Sequence, residues 1–118
     1  MKHLKVLFHI NELDRWDRAL GNIINLLKDA GEDAVDAVVL ANGPSVNAYG
    51  NETKLSVMKD LSERGVRFLV CRNSLRKLCT SRDVCIKEDD LAAFIEVVPA
   101  GITAIIKMQS DGYAYVKP

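Results

Sequence analysis

Cys71 is the residue of this chain whose type and position point most directly to chemistry. It ends the apolar run VRFLVC (66–71), and NSLRKLC (73–79), which reads as the start of a helix, follows directly. A thiol in front of a helix N-terminus lies near the positive end of the helix dipole and near free N–H groups, and both favour the thiolate. Arg72 adds positive charge nearby. Cys71 is therefore a candidate nucleophile, although a cysteine that only completes a buried strand has the same pattern.

The other cysteines are weaker candidates. Cys79 follows on the apolar side of the predicted third helix and Cys85 falls in a polar loop, so packing or no role is the simpler interpretation. Three cysteines without C-x-x-C spacing argue against a disulfide framework, and only His3 and His9 could assist in a zinc site. We therefore expect free thiols, no metal site and a reducing, cytoplasmic location.

No segment has the pattern of a nucleotide-phosphate turn. G-x-G-x-x-G is absent after the first apolar run, and G-x-x-x-x-G-K-[ST] occurs nowhere. The tetrapeptide NGPS (42–45) could present backbone N–H groups to an anion, but Gly-Pro also makes an ordinary turn. We therefore predict no cofactor.

Composition indicates one globular domain, residues 1–118. Hydrophobic residues make up 48% and charged residues 27%, and 16 basic residues balance 16 acidic ones, so no net field attracts nucleic acid or an anionic membrane. The start MKHLKVLFHI lacks a cleavage site and reads as a first strand rather than a signal peptide. No apolar run approaches the roughly 20 residues of a membrane span. We expect neither nucleic acid nor membrane as a partner.

Apolar runs alternate with segments of helical spacing along the chain. The predicted strands are residues 4–10, 34–40, 66–71, 95–99 and 113–117. The predicted helices begin near Asp14, near residue 52, at Asn73 or Ser74, and after Pro99, and a short helical segment covers KEDDLAAF (87–94). This alternation is typical of βαβ units. We predict an α/β fold in three layers, a parallel or mostly parallel sheet of about five strands with helices on both faces.

Right-handed crossovers bring every strand-to-helix turn to one edge of such a sheet, where ligands bind near a topological switch point. Residues 9–11, 42–45, 71–74 and 99–101 should meet there. His9 would then serve beside Cys71 as a base or hydrogen-bond donor, or would be a structural residue at a strand end. The candidate binding or orienting residues around Cys71 are His9, Asn42, Gly43, Arg72, Asn73 and Ser74.

The sequence as a whole resembles the DsrE/DsrF-like family, and more narrowly its small uncharacterised members. The resemblance is carried by GVRFLVCRNSL (65–75), VVPAGI (97–102) and QSDGYAYVKP (109–118), in this order, and VLFHINE and VVLANGPSV also fit. It implies a parallel α/β sheet and homo- or hetero-oligomers, usually trimers or hexamers. Characterised relatives act in sulfur oxidation or in the sulfur relay to tRNA thiolation, where a cysteine at the end of the third strand carries persulfide sulfur to a partner protein.

Cys71 occupies the position that matches this cysteine. Relay members have an alanine-rich, basic stretch after it, whereas this chain has Arg72-Asn73-Ser74-Leu75. The resemblance predicts a sulfur carrier that takes sulfane sulfur from a donor protein and passes it to an acceptor. The alternative is a homotrimeric or homohexameric binding or scaffold module of the same fold in which Cys71 is inert. The near-zero net charge and the apolar edge Tyr-Ala-Tyr-Val (113–116) also favour an oligomer.

Overall fold

The computed structural model describes residues 4–80 and 85–118. Within these ranges five parallel strands form one sheet. They are β1 (Leu4–Ile10), β2 (Val35–Ala41), β3 (Arg67–Cys71), β4 (Ile95–Val98) and β5 (Ala114–Val116). Their order across the sheet is β4-β3-β2-β1-β5, so the chain moves outward from β1 to β4 and then crosses back to place β5 beside β1. The predicted parallel sheet of five strands is confirmed.

Helices cover both faces of the sheet unequally. The α-helices are α1 (Trp16–Ala30), α2 (Glu52–Glu63), α3 (Arg72–Leu78) and α4 (Gly101–Ser110). The first three contribute to a large apolar core with Phe8, Val39 and Phe68, on one face of the sheet. On the opposite face, Leu7, Val38, Leu40 and Leu69 pack against α4, chiefly against Ile105. The return crossover from β4 to β5 explains why α4 lies opposite the other helices.

Several predicted boundaries are corrected by the structure. A 3-10 turn (Leu13–Arg15) precedes α1, so Asp14 is not the cap residue of that helix. The segment that begins with Gly43, predicted as a loop, is a 3-10 helix (Gly43–Gly50). The short helical segment predicted over 87–94 is reduced to a 3-10 turn (Glu88–Asp90). A third 3-10 turn (Glu32–Ala34) leads into β2.

The 3-10 segment 43–50 is fastened to the core by buried hydrogen bonds. The Trp16 indole N–H donates to the Ser45 carbonyl at 2.8 Å. The Ser45 hydroxyl lies 2.5 Å from the Ile10 carbonyl and 2.7 Å from the Asn42 carbonyl. The Tyr49 hydroxyl donates to the Leu69 carbonyl at 2.9 Å. These contacts hold the turn after β2 against the carboxyl ends of β1 and β3.

A polar cluster fixes the opposite end of the sheet, on the α4 side. The Tyr113 hydroxyl donates to Asp36 at 2.5 Å, and the Lys5 ammonium lies 4.6 Å from the centre of the Tyr113 ring. Burial, together with the adjacent Asp36 carboxylate, raises the pKa of Tyr113 to about 12. The phenol thus remains a neutral donor that positions the start of β5. No helix in the described ranges is long and apolar enough to cross a bilayer.

Candidate functional site

Cys71 lies where β3 passes directly into α3. It is the last residue of β3 and occupies the N-cap position of α3, so no loop separates the strand from the helix. Its side chain is on the α4 side of the sheet, because Leu69, two residues earlier on the strand, packs against α4. The residue is 6% exposed. The predicted caps Asn73 and Ser74 instead lie inside the first turn of the helix.

The Cys71 sulfur receives hydrogen bonds from two helix N-termini. The Gly101 N–H, at the start of α4, lies 3.3 Å from Sγ. Burial by itself raises the pKa of the thiol, but the Ser74 hydroxyl and the N–H groups of Ser74, Gly101 and Asn73 lower it. The net result is a pKa below the ordinary value of 9.0, because these donors stabilise the charged form more than burial destabilises it.

Gly101 allows this close approach because it has no side chain. A Cβ atom built there would lie 3.2 Å from the Cys71 Cβ and 3.5 Å from its sulfur. The first of these contacts is tighter than side chains normally tolerate. The glycine therefore lets the start of α4 press its N–H group against the thiol.

The substitution Gly101→Ala is expected to raise the pKa of Cys71 and to slow its alkylation by iodoacetamide several-fold at about pH 7, because the new methyl group pushes the N–H donor away from the sulfur. Peptide mass after timed labelling measures the rate. Gly21→Ala is the matched control, since a Cβ added at Gly21 meets nothing within 4 Å. A wild-type labelling rate in Gly101→Ala would remove Gly101 from the group that activates the thiol.

Ser74 connects Cys71 to the turn after β2. Its Oγ accepts a hydrogen bond from the Gly43 N–H at 2.9 Å while its hydroxyl is directed to the sulfur. Gly43 adopts a φ of +58°, and an added Cβ would lie 2.7 Å from the Asn11 amide nitrogen. Glycine is thus required here by both conformation and space.

His9 and Asn42 form a second hydrogen-bonded group on the same edge. The Asn42 side-chain oxygen accepts from His9 Nε2 at 2.9 Å and from the Asn11 amide at 3.1 Å. Because that oxygen only accepts, Nε2 carries a proton, and in the neutral ring Nδ1 accepts from the Tyr115 hydroxyl at 2.6 Å. His9 is thereby held in one orientation between β2 and β5.

The structure places the candidate residues from the sequence in three groups. Ser74, Asn73 and Gly43 are joined to Cys71, directly or through the Ser74 hydroxyl. Asn42 precedes Gly43 and bonds to His9, two strands from β3. Arg72 is held in an ion pair by Glu88 at 2.6 Å, and the groups that lower the pKa of Cys71 most are Ser74, Gly101 and Asn73.

Two contributors to the site were not singled out from the sequence. The sequence places Gly101 at the carboxyl edge of the sheet, but it gives no signal for the N–H contact with the thiol. Tyr115 was interpreted as an edge residue, although it orients His9. The alternation Tyr113-Ala114-Tyr115 was the available signal, because it places both phenols on the α4 face with His9.

An open groove lies next to Ser74, between α3 and the 3-10 segment 43–50. It has a volume of about 370 Å³ and is lined by Gly43, Pro44, Asn47, Ser74, Lys77 and Leu78. Ser74 is shared between this groove and the sulfur. Through Ser74, the groove borders the hydrogen-bonded group around Cys71.

The expectation that all three thiols are free is wrong. Cys79 and Cys85 are joined by a disulfide, with Cα atoms 4.1 Å apart, and Cys71 is the free cysteine. Cys79 caps the end of α3, and the Cys85–Lys87 segment returns past it, as the Cys79 Sγ contact with the Ile86 carbonyl at 3.6 Å shows. An odd total of cysteines does not prevent a local pair.

Grouped metal ligands are absent from the described residues. Residues 4–80 and 85–118 contain no group of three or more His, Cys, Asp or Glu side chains that could hold a metal ion.

The parallel sheet and the cysteine at the end of its third strand define a three-layer α/β protein with a thiol at the carboxyl edge of the sheet. The sequence model of the DsrE/DsrF-like family matches residues 32–118, and the chain belongs to this family. The solved structure of MTH1491, a protein of unknown function from Methanobacterium thermoautotrophicum, is similar over 98% of this chain and 99% of its own, with 30% identity and a TM-score of 0.84. No curated protein matches.

Proposed function

We propose that the protein is a sulfur carrier that holds sulfane sulfur on Cys71 and passes it to an acceptor. The observation that supports this best is the set of donors around the sulfur, from the Ser74 hydroxyl and the N–H groups of Asn73, Ser74 and Gly101, which lowers the pKa of the thiol. A thiolate is the species that attacks a persulfide. Membership of the DsrE/DsrF-like family is consistent with this chemistry.

Sulfur transfer at Cys71 needs no external oxidant or reductant. The Cys71 thiolate attacks the outer sulfur of a donor persulfide R–S–SH, the donor S–S bond breaks, and R–S⁻ leaves and takes up a proton. Cys71 then carries S–SH. An acceptor thiolate attacks the outer sulfur of this group, a new S–S bond forms on the acceptor, and Cys71 leaves as a thiolate that the same donors stabilise.

Intact-mass analysis tests this proposal directly. Protein incubated with a small-molecule persulfide donor, with the Cys79–Cys85 disulfide left intact, is expected to gain the mass of one sulfur atom, and Cys71→Ser is expected to gain none. The double variant Cys79→Ser/Cys85→Ser is the matched control, because it removes the other two sulfurs and keeps Cys71. Loading that persists in Cys71→Ser, or is absent from the double variant, contradicts the proposal.

The burial of Cys71 favours a second candidate function. At 6% exposure, the residue also fits a packed strand end in an oligomeric binding or scaffold module with an inert thiol. The two candidates differ in one measurement. An inert Cys71 would react with iodoacetamide only on unfolding, whereas a carrier thiol reacts in the native state.

We further propose that this carrier works in the cytoplasm, where reductants would keep Cys71 available for sulfur. The Cys79–Cys85 disulfide bears on this point, because disulfides are uncommon in that compartment. Counting free thiols in protein from freshly lysed, alkylator-quenched cells tests the location. Three free thiols support it, and a single one opposes it.

We also propose that the protein assembles with itself, as a trimer or hexamer. On α4, Ile102 and Ile106 are 64% and 58% exposed, and Tyr115 of β5 is 40% exposed. The opposite flank of α4, with Thr103 and Lys107, faces β4, so the two isoleucines are directed toward the β1–β5 side where Tyr115 lies. These exposed apolar side chains, together with the edge strand β5, have the composition of a subunit contact.

Light scattering after size exclusion is expected to give three or six times the chain mass of 13.1 kDa at micromolar concentration. Ile106→Asp is expected to shift the protein toward the monomer, because a buried charge opposes association. Val57→Asp is the control, since Val57 is 38% exposed on α2, away from this surface. A monomeric wild-type protein would refute the oligomer.

A further inference from the structure

A polar crevice opens where the carboxyl ends of β1 and β5 meet. The strand order reverses at this point, because the chain leaves β1 toward β2 and β5 returns on its other side. In open α/β sheets this reversal is where small ligands bind. We infer that this crevice binds a small dianion, of the phosphate-ester or dicarboxylate class, at a site separate from Cys71.

The register of the sheet builds the crevice from two distant segments. Phe8 of β1 is paired with Val116 of β5, which brings the residues after β1 level with the end of the chain. The cavity has a volume of about 410 Å³, sufficient for a small organic anion. Its lining residues are His9, Ile10, Asn11, Glu12, Arg15, Arg18, Lys117 and Pro118.

Three of the eight residues that line the crevice carry cationic side chains. They are Arg15, Arg18 and Lys117, and they stand against one carboxylate side chain, that of Glu12. This local excess stands out because the chain as a whole has a formal net charge of zero. Arg and Lys side chains that converge on a polar cavity suit a ligand that carries two negative charges.

Within the described part of the chain, two of the three cations, Arg18 and Lys117, have no ionic partner. Arg15 lies 3.8 Å from Glu12 and 4.0 Å from Asp14, in long contacts between exposed groups. Arg18 and Lys117 make no ion pair or side-chain hydrogen bond within residues 4–80 and 85–118. Arg18 follows Arg15 by three residues, so both project from the same side of the chain toward the crevice. The N–H donors of Arg18 and Lys117 are therefore available to a ligand.

Neutral groups complete the wall of the crevice. Both ring nitrogens of His9 are already bonded, to Tyr115 and Asn42, so the imidazole lines the cavity as a fixed surface. The Asn11 amide uses one N–H group for Asn42 and has a second one left. The crevice therefore offers hydrogen-bond donors, and Glu12 is its one anionic side chain.

NMR titration at constant ionic strength tests the inference, with inorganic phosphate and succinate as the two dianions and chloride as the balancing monoanion. At least one dianion is expected to give saturable shifts of the His9 ring and the Lys117 amide with a Kd below about 10 mM. The tighter of the two identifies the ligand class. Arg18→Gln and Lys117→Gln are each expected to weaken binding about tenfold, since each removes a charged donor.

Lys28→Gln is the matched control, because it removes one positive charge from an exposed position at the far end of α1. It should leave the Kd unchanged. The inference is overturned if neither dianion gives saturable shifts at the crevice, or if all three variants weaken binding equally, as non-specific attraction would. Sulfur loading of Cys71 is measured separately in Arg18→Gln and should be normal there, so the crevice and the carrier proposal fail or stand independently.

Discussion

Replacing Trp16 with alanine is expected to lower the free energy of unfolding by about 3–5 kcal/mol. The Trp16 side chain is fully buried at the start of α1 and packs against two other aromatic rings. Its ring centroid lies 5.4 Å from that of Tyr49, edge to face, and 6.5 Å from that of Phe68, nearly stacked. Truncation would leave a cavity among side chains from α1, β3 and the 3-10 segment, which cannot all close on it.

The same substitution is expected to alter the reactivity of Cys71. The Trp16 indole N–H holds the Ser45 carbonyl at 2.8 Å, and Ser45 belongs to the segment that begins with Gly43. Because the Gly43 N–H is bonded to the Ser74 hydroxyl, loosening this segment frees that hydroxyl from its fixed position. Native-state alkylation of Cys71 should therefore change along with stability.

Urea unfolding followed by circular dichroism measures the loss of stability. Trp16→Phe keeps an aromatic ring and loses the N–H donor, so it should cost about 1–3 kcal/mol and remain folded even if the alanine variant does not. The Trp16 account is wrong if alanine costs less than phenylalanine, or if both variants unfold at the urea concentration of the wild-type protein.

Local patterns in the sequence are sufficient to predict the strands, the helices and the parallel sheet. The strands from Leu4 to Val98 are apolar runs of the length expected for a sheet covered on both faces, and helical spacing between them is consistent with parallel crossovers. The position of β5 beside β1 cannot be predicted from these patterns, because it depends on which face of the sheet α4 packs against. That choice is made by tertiary contacts such as Ile105 with Leu40 and Leu69.

Cap chemistry misplaced the start of α3 for a definable reason. Asn73 and Ser74 are preferred N-cap residues, so the sequence predicts that the helix begins at one of them. The strand instead joins the helix without an intervening loop, and Cys71 itself takes the cap position. The consequence is favourable to the thiol, because the first-turn N–H groups of Asn73 and Ser74 then point at its sulfur.

Contacts between residues that are distant in sequence leave no local pattern from which they could be predicted. Gly101 meets Cys71 across 30 residues, and Arg72 meets Glu88 across 16. Arg72 was expected to stabilise the thiolate because it is the next residue in sequence. In the structure its guanidinium forms an ion pair with Glu88, and neutral donors lower the pKa of the thiol instead. Adjacency in sequence does not fix the direction of a long side chain.

Ser74→Ala is expected to raise the pKa of Cys71 and to slow its alkylation at pH 6–7 by about tenfold or more. The hydroxyl is the largest of the contributions that lower this pKa, and a hydrogen bond to a charged group contributes about 1.5–3 kcal/mol. Without it, burial of the sulfur is less well compensated and the thiolate fraction falls. At a pH above the pKa of both thiols the two proteins are ionised alike, so their alkylation rates should converge.

Stability is expected to follow the same ionisation. A thiol whose folded-state pKa lies below its unfolded value near 9.0 stabilises the fold above that unfolded value, and the contribution is lost as the pH falls through the folded-state pKa. Ser74→Ala reduces this contribution. The difference in free energy of unfolding between wild type and variant should therefore be larger at about pH 9 than at about pH 6.

Two variants separate the hydroxyl from general effects of mutation. Ser74→Thr keeps the donor and should retain most of the low-pH reactivity, whereas Ser62→Ala removes a hydroxyl that donates to the Lys59 carbonyl on α2 and should change nothing at Cys71. Rates come from iodoacetamide labelling followed by peptide mass over about pH 5–10. If Ser74→Ala labels as fast as the wild type at pH 6–7, the donors do not activate the thiol. The burial of Cys71 would then count in favour of the inert scaffold module.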